Sequence, residues 1–380
     1  MMPRIETGPD HAGALLEIDL GAIRANWRAM RARLGAAACG AVVKADAYGL
    51  GARAVAPALA EEGARQFFVA HLDEAIALQP LLPATAEIFV LNGLPQGAER
   101  DCAERGLIPA LNSLAQVEAF AAQGRRRGRA LPAAVQIDSG MSRLGLSRDE
   151  LDRLASDPAR LDGLSLRLVM SHLACAEDQA NPMNRAQLAR FEAGRRRLPA
   201  APASLANSSG VFLGPDFHFD LARPGAALYG LAPVAGAANP MRPTVRLSAR
   251  ILQIRETEPG DVVGYGAAWT ASGRRRIATV SAGYADGYLR RLSGRAVAWA
   301  DDRAAPQVGT VSMDSVTFDV TDAPEAVEGG FLELIGPRNP VDALAAQGAT
   351  IGYEILTSLG GRYARVYKDA PAAPTERLSA

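Results

Sequence analysis

The sequence predicts an α/β fold in which a (β/α)8 TIM barrel precedes a second, mostly β-stranded domain. Short apolar segments alternate with amphipathic helical segments from about residue 38 to residue 222, which is the pattern of a parallel barrel. After about residue 240 the pattern changes to strands of alternating polar and apolar residues separated by turns. The 380 residues also leave room for a barrel of roughly 200 to 250 residues and a further domain.

Eight apolar segments support the barrel. Strands are predicted at residues 38–44, 66–71, 87–92, 107–111, 133–138, 166–172, 203–207 and 218–222. Helices are predicted at residues 20–34, 52–62, 73–81, 113–124, 149–156 and 185–198. A doubly wound sheet gives a similar alternation, but it usually has fewer strands and a glycine-rich first turn. No G-x-G-x-x-G motif follows the first of these strands, so the sequence favours the barrel.

The second domain is predicted from period-two alternation, which is typical of strands with one buried face. Its predicted strands are 244–254, 276–281, 295–300, 306–313, 315–320 and 330–335, and its predicted helix is 342–347. A short strand at 17–20 precedes the barrel helices. We therefore expect a barrel domain at residues 14–240 and a β-rich domain at residues 241–380, together with residues 1–13.

The composition argues against several classes of function. The 41 basic and 41 acidic residues cancel, so nothing indicates a nucleic-acid partner or a membrane surface. Three cysteines without framework spacing indicate reduced thiols and a cytoplasmic protein. The four histidines are dispersed, so no metal site is predicted. Residues 1–10 lack the apolar core of a signal peptide.

Lys44 is unusual because almost every other basic position is an arginine. Only Lys44 and Lys368 are lysine among the 41 basic residues. An arginine at position 44 would supply charge, but it cannot lose a proton near neutral pH and so cannot act as an amine nucleophile. A lysine at the predicted end of a buried strand therefore indicates imine chemistry. A side chain that simply extends from the strand end into water is the structural alternative.

Polar residues collect at the predicted carboxyl ends of the barrel strands, where barrel enzymes carry their chemistry. They are Lys44, Asp138, Ser139, Ser171, His172, Asn207, Ser208, Arg223 and Gly225. The loops after strands seven and eight usually bind phosphate in this architecture. We therefore predict a phosphate site formed by Ser208, Gly225 and the backbone amide of Ala226. Taken singly, each of these residues is also ordinary turn chemistry.

Six motifs resemble those of alanine racemases and occur in the same order. They are 41–51 (AVVKADAYGLG), 138–145 (DSGMSRLG), 223–231 (RPGAALYGL), 263–267 (VGYGA), 283–288 (GYADGY) and 312–314 (SMD). The resemblance extends from about residue 16 to residue 367. It implies a fold type III pyridoxal-phosphate enzyme that interconverts L-alanine and D-alanine. The D-alanine would supply peptidoglycan synthesis or belong to alanine catabolism.

The resemblance also implies roles for individual residues. Lys44 would form the internal Schiff base with pyridoxal 5'-phosphate, and Tyr265 would be the second catalytic residue. The other predicted cofactor-binding residues are Tyr48, Arg143, His172, Asn207, Ser208, Arg223, Gly225, Ala226 and Tyr353. The predicted substrate-binding residues are Arg143, Tyr284 and Met313. A homodimer is implied in which Tyr265, Tyr284 and Met313 of one subunit complete the active site of the other.

Racemisation explains why these residue types are needed. A proton leaves one face of the amino-acid Cα and another returns to the opposite face, so two acid/base groups, Lys44 and Tyr265, must face each other. A tyrosine titrates at about 10 unaided and needs neighbours such as His172 and Arg223 to act at neutral pH. Arginine at the pyridine nitrogen keeps its own proton, which leaves that nitrogen unprotonated and disfavours transamination.

Four residues depart from the pattern of the family. Asp46 stands where asparagine is commoner, Gln136 where a lysine often orients the arginine matching Arg143, Thr310 where arginine is frequent, and Trp269 where tyrosine is frequent. These departures keep open a broad-specificity racemase that acts on serine or longer side chains. Ser312 and Met313 argue against a related decarboxylase, which carries a Cys-Asp pair. Tyr265 and the β domain argue against a non-catalytic pyridoxal-phosphate carrier.

Overall fold

The computed structural model describes residues 11–369, which form two compact units. The barrel unit contains residues 23–47 and 51–242. The β unit contains residues 48–50 and the described residues of 1–22 and 243–380. Among residues 11–369, no helix combines the length and the apolar character that crossing a bilayer requires.

The barrel unit is a closed ring of short parallel strands. Seven strands pair in chain order: Ala41–Val42, Gln66–Val69, Glu87–Val90, Ile108–Leu111, Leu131–Gln136, Leu164–Met170 and Ala203–Ser204. Ala38–Cys39 continues the first of these strands backwards and pairs in parallel with Leu221–Ala222. Backbone hydrogen bonds from Asp220 to Ala203 and from Arg223 to Ala206 join the last two strands. The predicted (β/α)8 barrel is therefore confirmed.

The barrel strands are buried along nearly their whole length, which is why they read as continuous apolar runs. Phe67 and Phe68 on one strand and Phe89 on the next are almost inaccessible to solvent. The rings of Phe68 and Phe89 stack with their centroids 4.7 Å apart. Packed side chains of this kind leave the loops at the strand ends as the place for a site.

Helices follow the strands with the expected spacing. The α-helices are Leu20–Arg33, Ala52–Glu62, Leu72–Leu78, Glu99–Arg105, Leu114–Arg126, Arg148–Ser156 and Pro182–Arg195. Short 3-10 helices lie at Gln79–Leu81, Pro158–Leu161, Gly210–Leu213, Pro215–Phe217 and Ala226–Tyr229. Ser113, Ser147 and Asn181 cap helices by accepting a backbone N–H of the first turn. The sequence did not predict Glu99–Arg105, because only two of its residues are buried and no apolar stripe is visible.

The β unit contains one eight-stranded sheet. Its strand order is Arg275–Val280, Val316–Asp319, Arg303–Val308, Val297–Ala300, Phe331–Ile335, Val245–Thr257, Ala14–Asp19 and Ala364–Lys368. The first strand in this order also pairs with the long strand Val245–Thr257. A small hairpin joins Val262–Val263 to Trp269–Thr270. The helices are Val341–Gln347 and Gly352–Ser358, with 3-10 turns at Tyr265–Ala267, Tyr284–Asp286 and Arg290–Leu292.

The first described strand, Ala14–Asp19, belongs to this sheet. It pairs antiparallel with Val245–Thr257 and parallel with Ala364–Lys368, and its buried and half-buried residues alternate. The predicted domain limits placed residue 14 with the barrel instead, because the pairing partners lie far along the chain. The assignment of residues 1–10 to the β-rich domain falls outside the described residues.

Candidate active site

The two units carry different groups of the predicted site residues. The barrel unit carries Lys44, Arg143, His172, Asn207, Ser208, Arg223, Gly225 and Ala226. The β unit carries Tyr48, Tyr265, Tyr284, Met313 and Tyr353.

Lys44 begins a left-handed helical turn rather than ending a strand. The strand stops at Val42, and residues 45–48 all have φ between 53° and 57°. The expectation that Lys44 is the last residue of the strand is therefore wrong. L-residues avoid this conformation at a cost of roughly 1–2 kcal/mol each, so the surrounding structure must hold the turn.

Two carboxylates hold this turn. Glu74 Oε1 accepts the backbone N–H of Ala45 at 2.6 Å. Asp46 Oδ1 accepts the backbone N–H of Ala52, the first residue of the next helix, at 2.7 Å. Asp46 therefore links the strained turn to a helix end, and an asparagine oxygen could accept the same bond. The rest of the turn is fixed by the backbone bond from Ala47 to Val43.

The Lys44 ammonium lies in surroundings that favour its neutral form. Burial lowers the pKa of Lys44 from its ordinary value of 10.5, and the positive charges of Arg143 and Arg223 lower it further, whereas Glu74 acts in the opposite direction. A larger neutral fraction makes the amine a better nucleophile and a better proton acceptor near neutral pH.

Arg223 is a buried cation whose hydrogen-bond partners are neutral. Its Nη1 donates to Ser204 Oγ, and its Nη2 donates to the backbone oxygen of Ser171 at 2.6 Å and towards His172 Nδ1 at 3.5 Å. Burial lowers the pKa of Arg223 to about 10. A guanidinium in this position is still positively charged at neutral pH and remains a strong donor to any acceptor at the strand ends.

His172 is held in its neutral form. Its pKa is lowered from 6.5 to about 3, first by desolvation and then by the charges of Arg223, Arg143 and Lys44. A neutral imidazole can accept the Arg223 hydrogen bond on Nδ1 and carry its own proton on Nε2. His172 can therefore donate or accept a hydrogen bond without adding charge.

Ser208 gathers backbone amides from the loop after the last strand. Its hydroxyl oxygen accepts the N–H of Gly225 at 2.9 Å and that of Ala227 at 3.1 Å. The hydroxyl proton of Ser208 and the backbone N–H of Ala226, at the start of a 3-10 helix, remain as donors that suit an anion such as a phosphate. Asn207 beside it uses Oδ1 to accept the N–H of Gly210 at 2.8 Å and so shapes the turn.

Gln136 supports the loop that carries Arg143 through the main chain. Its Nε2 donates to the backbone oxygen of Leu144 at 3.1 Å, and the side chain is buried. Asp138 fixes the start of the same loop, because its carboxylate accepts the N–H groups of Gly140 at 2.8 Å and Met141 at 2.9 Å. The neutral glutamine thus contributes a hydrogen bond to this loop but no charge.

In the β unit, Tyr48 and Tyr353 lie next to each other. Their ring centroids are 6.0 Å apart, with the planes tilted by 44°. Burial of Tyr48 raises the pKa of its phenol, which therefore stays protonated and can donate a hydrogen bond. The hydroxyl of such a tyrosine is a suitable ligand for a phosphate oxygen.

Three further residues of the β unit are large, apolar or aromatic, and exposed. Tyr265 is 75% exposed, Met313 53% and Tyr284 42%. Backbone hydrogen bonds of 3.0 Å from Tyr284 to Ser312 and from Ala285 to Met313 join two of the segments that carry them. Tyr265 follows Gly264, whose φ of +77° favours glycine.

The two β-unit residues that depart from the family pattern lie near Tyr265. Thr310 donates weakly from Oγ1 to the backbone oxygen of Tyr265 at 3.5 Å. Trp269 packs on a small cluster formed by Val263, Ile277 and Val308. Both therefore support the segment that presents Tyr265.

Two buried polar residues that support this site, Ser204 and Gln187, were not predicted from the sequence. Ser204 accepts a hydrogen bond from Arg223. Ser139 and Ser171, which were expected at the strand ends, lie with their Oγ atoms 2.7 Å apart. Gln187 is fully buried on a barrel helix and contacts the segment after His172. A glutamine on the predicted apolar face of a helix was the available signal, because a buried amide requires partners.

The family comparisons cover most of the chain. The family model "Alanine racemase, N-terminal domain" matches residues 18–233, and "Alanine racemase, C-terminal domain" matches residues 244–367. The alanine racemase of Rhodospirillum rubrum is 52% identical over 361 residues, covering 94% of this chain and 96% of the relative. A catabolic alanine racemase of Mesorhizobium japonicum is 51% identical, covering 94% and 93%.

Solved structures agree with these matches. The crystal structure of alanine racemase from Bartonella henselae, with covalently bound pyridoxal phosphate, has a TM-score of 0.92 and 42% identity, covering 94% of this chain and all of that one. The biosynthetic alanine racemase of Pseudomonas aeruginosa has a TM-score of 0.88 and 36% identity, covering 94% of this chain and 99% of that one. The chain belongs to the alanine racemase family.

Proposed function

We propose that this protein is an alanine racemase that uses pyridoxal 5'-phosphate and interconverts L-alanine and D-alanine. The observation that carries the proposal is the buried amine of Lys44, whose pKa is lowered by its burial and by the charges of Arg143 and Arg223. A reactive amine at the rim of a barrel is what condensation with an aldehyde requires. The covalently bound cofactor of the Bartonella henselae relative supports the same assignment.

The donors in the barrel unit fit this cofactor group by group. Lys44 supplies the amine for the aldehyde. The hydroxyl proton of Ser208 and the backbone N–H of Ala226 supply neutral donors for the phosphate, because the N–H groups of Gly225 and Ala227 already bind Ser208 Oγ. Arg223 supplies a buried guanidinium for the pyridine nitrogen. The hydrogen-bond partners of Arg223 are all neutral, so none of them is a carboxylate that could protonate that nitrogen.

The bound cofactor supplies an electron-withdrawing ring that acidifies the substrate Cα–H bond. Lys44 Nζ takes or returns the proton on one face, and Tyr265 Oη does so on the other. The neutral His172 and the charged Arg223 provide hydrogen bonds without adding a negative charge. Arg143 orients the substrate carboxylate, and Ser208 donates a hydrogen bond to the phosphate.

We further propose a homodimer with shared active sites. Tyr265, Tyr284 and Met313 are exposed on the β unit, and the segments of Tyr284 and Met313 are hydrogen-bonded to each other, so these side chains are available to a partner subunit. In the dimer these three residues would reach the barrel of the partner subunit. A cytoplasmic location is consistent with three free cysteines, Cys39, Cys102 and Cys175.

The activity is tested by following L-alanine with circular dichroism. The wild type should reduce the signal to zero as the racemic mixture forms, and the product should be oxidised by a D-amino-acid oxidase. Lys44→Ala and Tyr265→Phe should each lose most of the rate, while Tyr265→Phe should keep its cofactor absorbance. Retention of the alanine signal by a cofactor-loaded wild type contradicts the proposal.

The shared site is tested by mixing inactive variants. A hybrid dimer of Lys44→Ala and Tyr265→Phe would contain one site in which both residues are native, so activity should return when the two proteins exchange subunits. Two separate preparations of the same variant provide the matched control. No recovery after demonstrated subunit exchange contradicts a shared site.

The substrate range is tested by comparing rates on different amino acids. Thr310 and Gln136, which depart from the family pattern, are the reason to test a broad-specificity racemase as the alternative. Steady-state rates on L-alanine, L-serine and L-leucine distinguish the two hypotheses. A kcat/KM for alanine that is at least about tenfold higher than for the others, equal to about 1.4 kcal/mol, supports the strict alanine racemase.

A further inference from the structure

Gln187 is fully buried, and its amide forms hydrogen bonds with two loops of the barrel rim. It lies on the buried face of the helix Pro182–Arg195. Its Oε1 accepts the backbone N–H of Ala174 at 2.8 Å. Its Nε2 donates to the backbone oxygen of His172 at 2.9 Å and towards Ser139 Oγ at 3.3 Å. One side chain therefore fixes both ends of the segment 172–174.

The same network reaches Arg223. Ser139 Oγ lies 2.7 Å from Ser171 Oγ, and both serines are buried. The backbone oxygen of Ser171 accepts Arg223 Nη2 at 2.6 Å. Arg190, one helical turn after Gln187, donates to the backbone oxygen of Ser139 at 3.3 Å. The helix thus binds the backbone oxygen of His172 directly, and it reaches Ser171, whose backbone oxygen binds the guanidinium, through Ser139.

An amide is the side chain that this position requires. It offers an acceptor to one peptide group and donors to another, whereas an apolar residue of similar size would leave buried peptide groups without partners. Hydrogen bonds from a rigid helix also fix a loop better than contacts within the loop itself. A side chain needed only to fill space would not have to be polar.

We propose that Gln187 is a positioning residue of the racemase: it holds the His172 main chain so that the imidazole meets Arg223. This inference rests on the proposed function for its kinetic readout. Gln187 touches neither substrate nor cofactor in this assignment and acts only through His172 and Ser171.

The test uses Gln187→Met and Gln187→Glu in the full-length holoenzyme. Methionine keeps the volume and removes every hydrogen bond. Glutamate keeps the oxygen that accepts from Ala174 but loses the donor to His172, and it remains informative if the methionine variant does not fold. The matched control is Gln123→Met, because Gln123 is a buried glutamine on another barrel helix whose Oε1 accepts from Arg126.

The expected result is a kcat for L-alanine lowered about tenfold, with KM changed less than about twofold, in both Gln187 variants and not in the control. A second readout does not depend on activity. With ¹³C at the histidine Cε1, the resonance of His172, assigned with His172→Gln among the four histidines, should move in the Gln187 variants only. In the His172→Gln background, Gln187→Met should lower kcat by a smaller factor.

An unchanged His172 resonance in a folded Gln187 variant overturns the proposal even if activity falls. The proposal is also overturned if Gln187→Met lowers kcat by the same factor in the His172→Gln background as in the wild type. Failure of the proposed function is a separate outcome, because the wild type would then not racemise alanine, whereas the resonance of His172 would still report its position.

Discussion

Arg223 Nη2 lies 3.5 Å from His172 Nδ1, so a buried cation faces an imidazole that must stay neutral. The two side chains follow the strands Leu164–Met170 and Leu221–Ala222, which are separated in the barrel by Ala203–Ser204. Lys44 and Arg143 add two further positive charges nearby. A proton on His172 would be repelled by all three charges, so the folded protein disfavours protonation of His172, and this makes its stability depend on pH.

Stability should fall with decreasing pH because of His172. The pKa of His172 is about 3 in the folded protein and 6.5 without these surroundings. Between these values the unfolded chain binds a proton that the folded protein does not, so the free energy of unfolding decreases as pH falls through this window. Urea unfolding at one protein concentration should show a steeper loss for wild type than for His172→Gln between about pH 7.5 and 5, by at most about 2 kcal/mol. Parallel curves contradict this assignment.

Asp46 should be replaceable by asparagine but not by alanine. Its Oδ1 accepts the N–H of Ala52, and its φ is 53°. Asparagine keeps an acceptor and tolerates this conformation, so Asp46→Asn should change stability by less than about 0.5 kcal/mol. Asp46→Ala should lose about 1 kcal/mol or more. The exposed Asp322→Ala serves as control in the same urea titration, and equal effects of alanine and asparagine at position 46 argue against the role of the hydrogen bond.

Arg362 should hold the segments that carry Tyr284 and Met313. Its Nε donates to Asp286 Oδ1 at 2.5 Å and its Nη1 to Asp314 Oδ1 at 2.7 Å. The two carboxylates raise the pKa of Arg362, so the cation is permanent. Arg362→Met would leave the buried Asp286 without its cation, and we expect a loss of about 1–3 kcal/mol. The KM for L-alanine should rise as well.

The control for Arg362 is Arg274→Met. Arg274 contacts Glu256 and Glu258 with all three side chains exposed, and such pairs contribute little to stability. Thermal unfolding gives the stability of both variants, and steady-state kinetics give their KM for L-alanine. If Arg362→Met behaved like Arg274→Met in both measurements, the two segments would not depend on Arg362.

The sequence predicted those parts of the fold that depend on local patterns. Helix Ala52–Glu62 was predicted with its observed limits, because its apolar stripe and flanking glycines are visible in the sequence. The strand Ala364–Lys368 and the helix Gly352–Ser358 were not predicted. Ala364–Lys368 is half-buried at most positions, and it pairs with Ala14–Asp19 at the other end of the chain, so no local signal marks it.

The candidate site was likewise predicted only in part. Lys44, His172 and Arg223 were predicted because strand ends are where barrel chemistry lies. The left-handed turn after Val43 was not, since Ala45 and Ala47 give no sign of a positive φ. The contacts of Gln187 depend on how a helix packs on two loops, which a single sequence does not reveal.

The most direct test of the account is the site of cofactor attachment. The chain has only two lysines, Lys44 and Lys368, and Lys368 is half-exposed and paired with Glu17 at 2.7 Å. After borohydride reduction of the holoenzyme, peptide mass spectrometry should find the pyridoxyl group on Lys44, with Lys368 unmodified and activity lost. Modification of Lys368 with Lys44 unmodified, or full activity in a Lys44→Ala variant, would contradict the central role of Lys44.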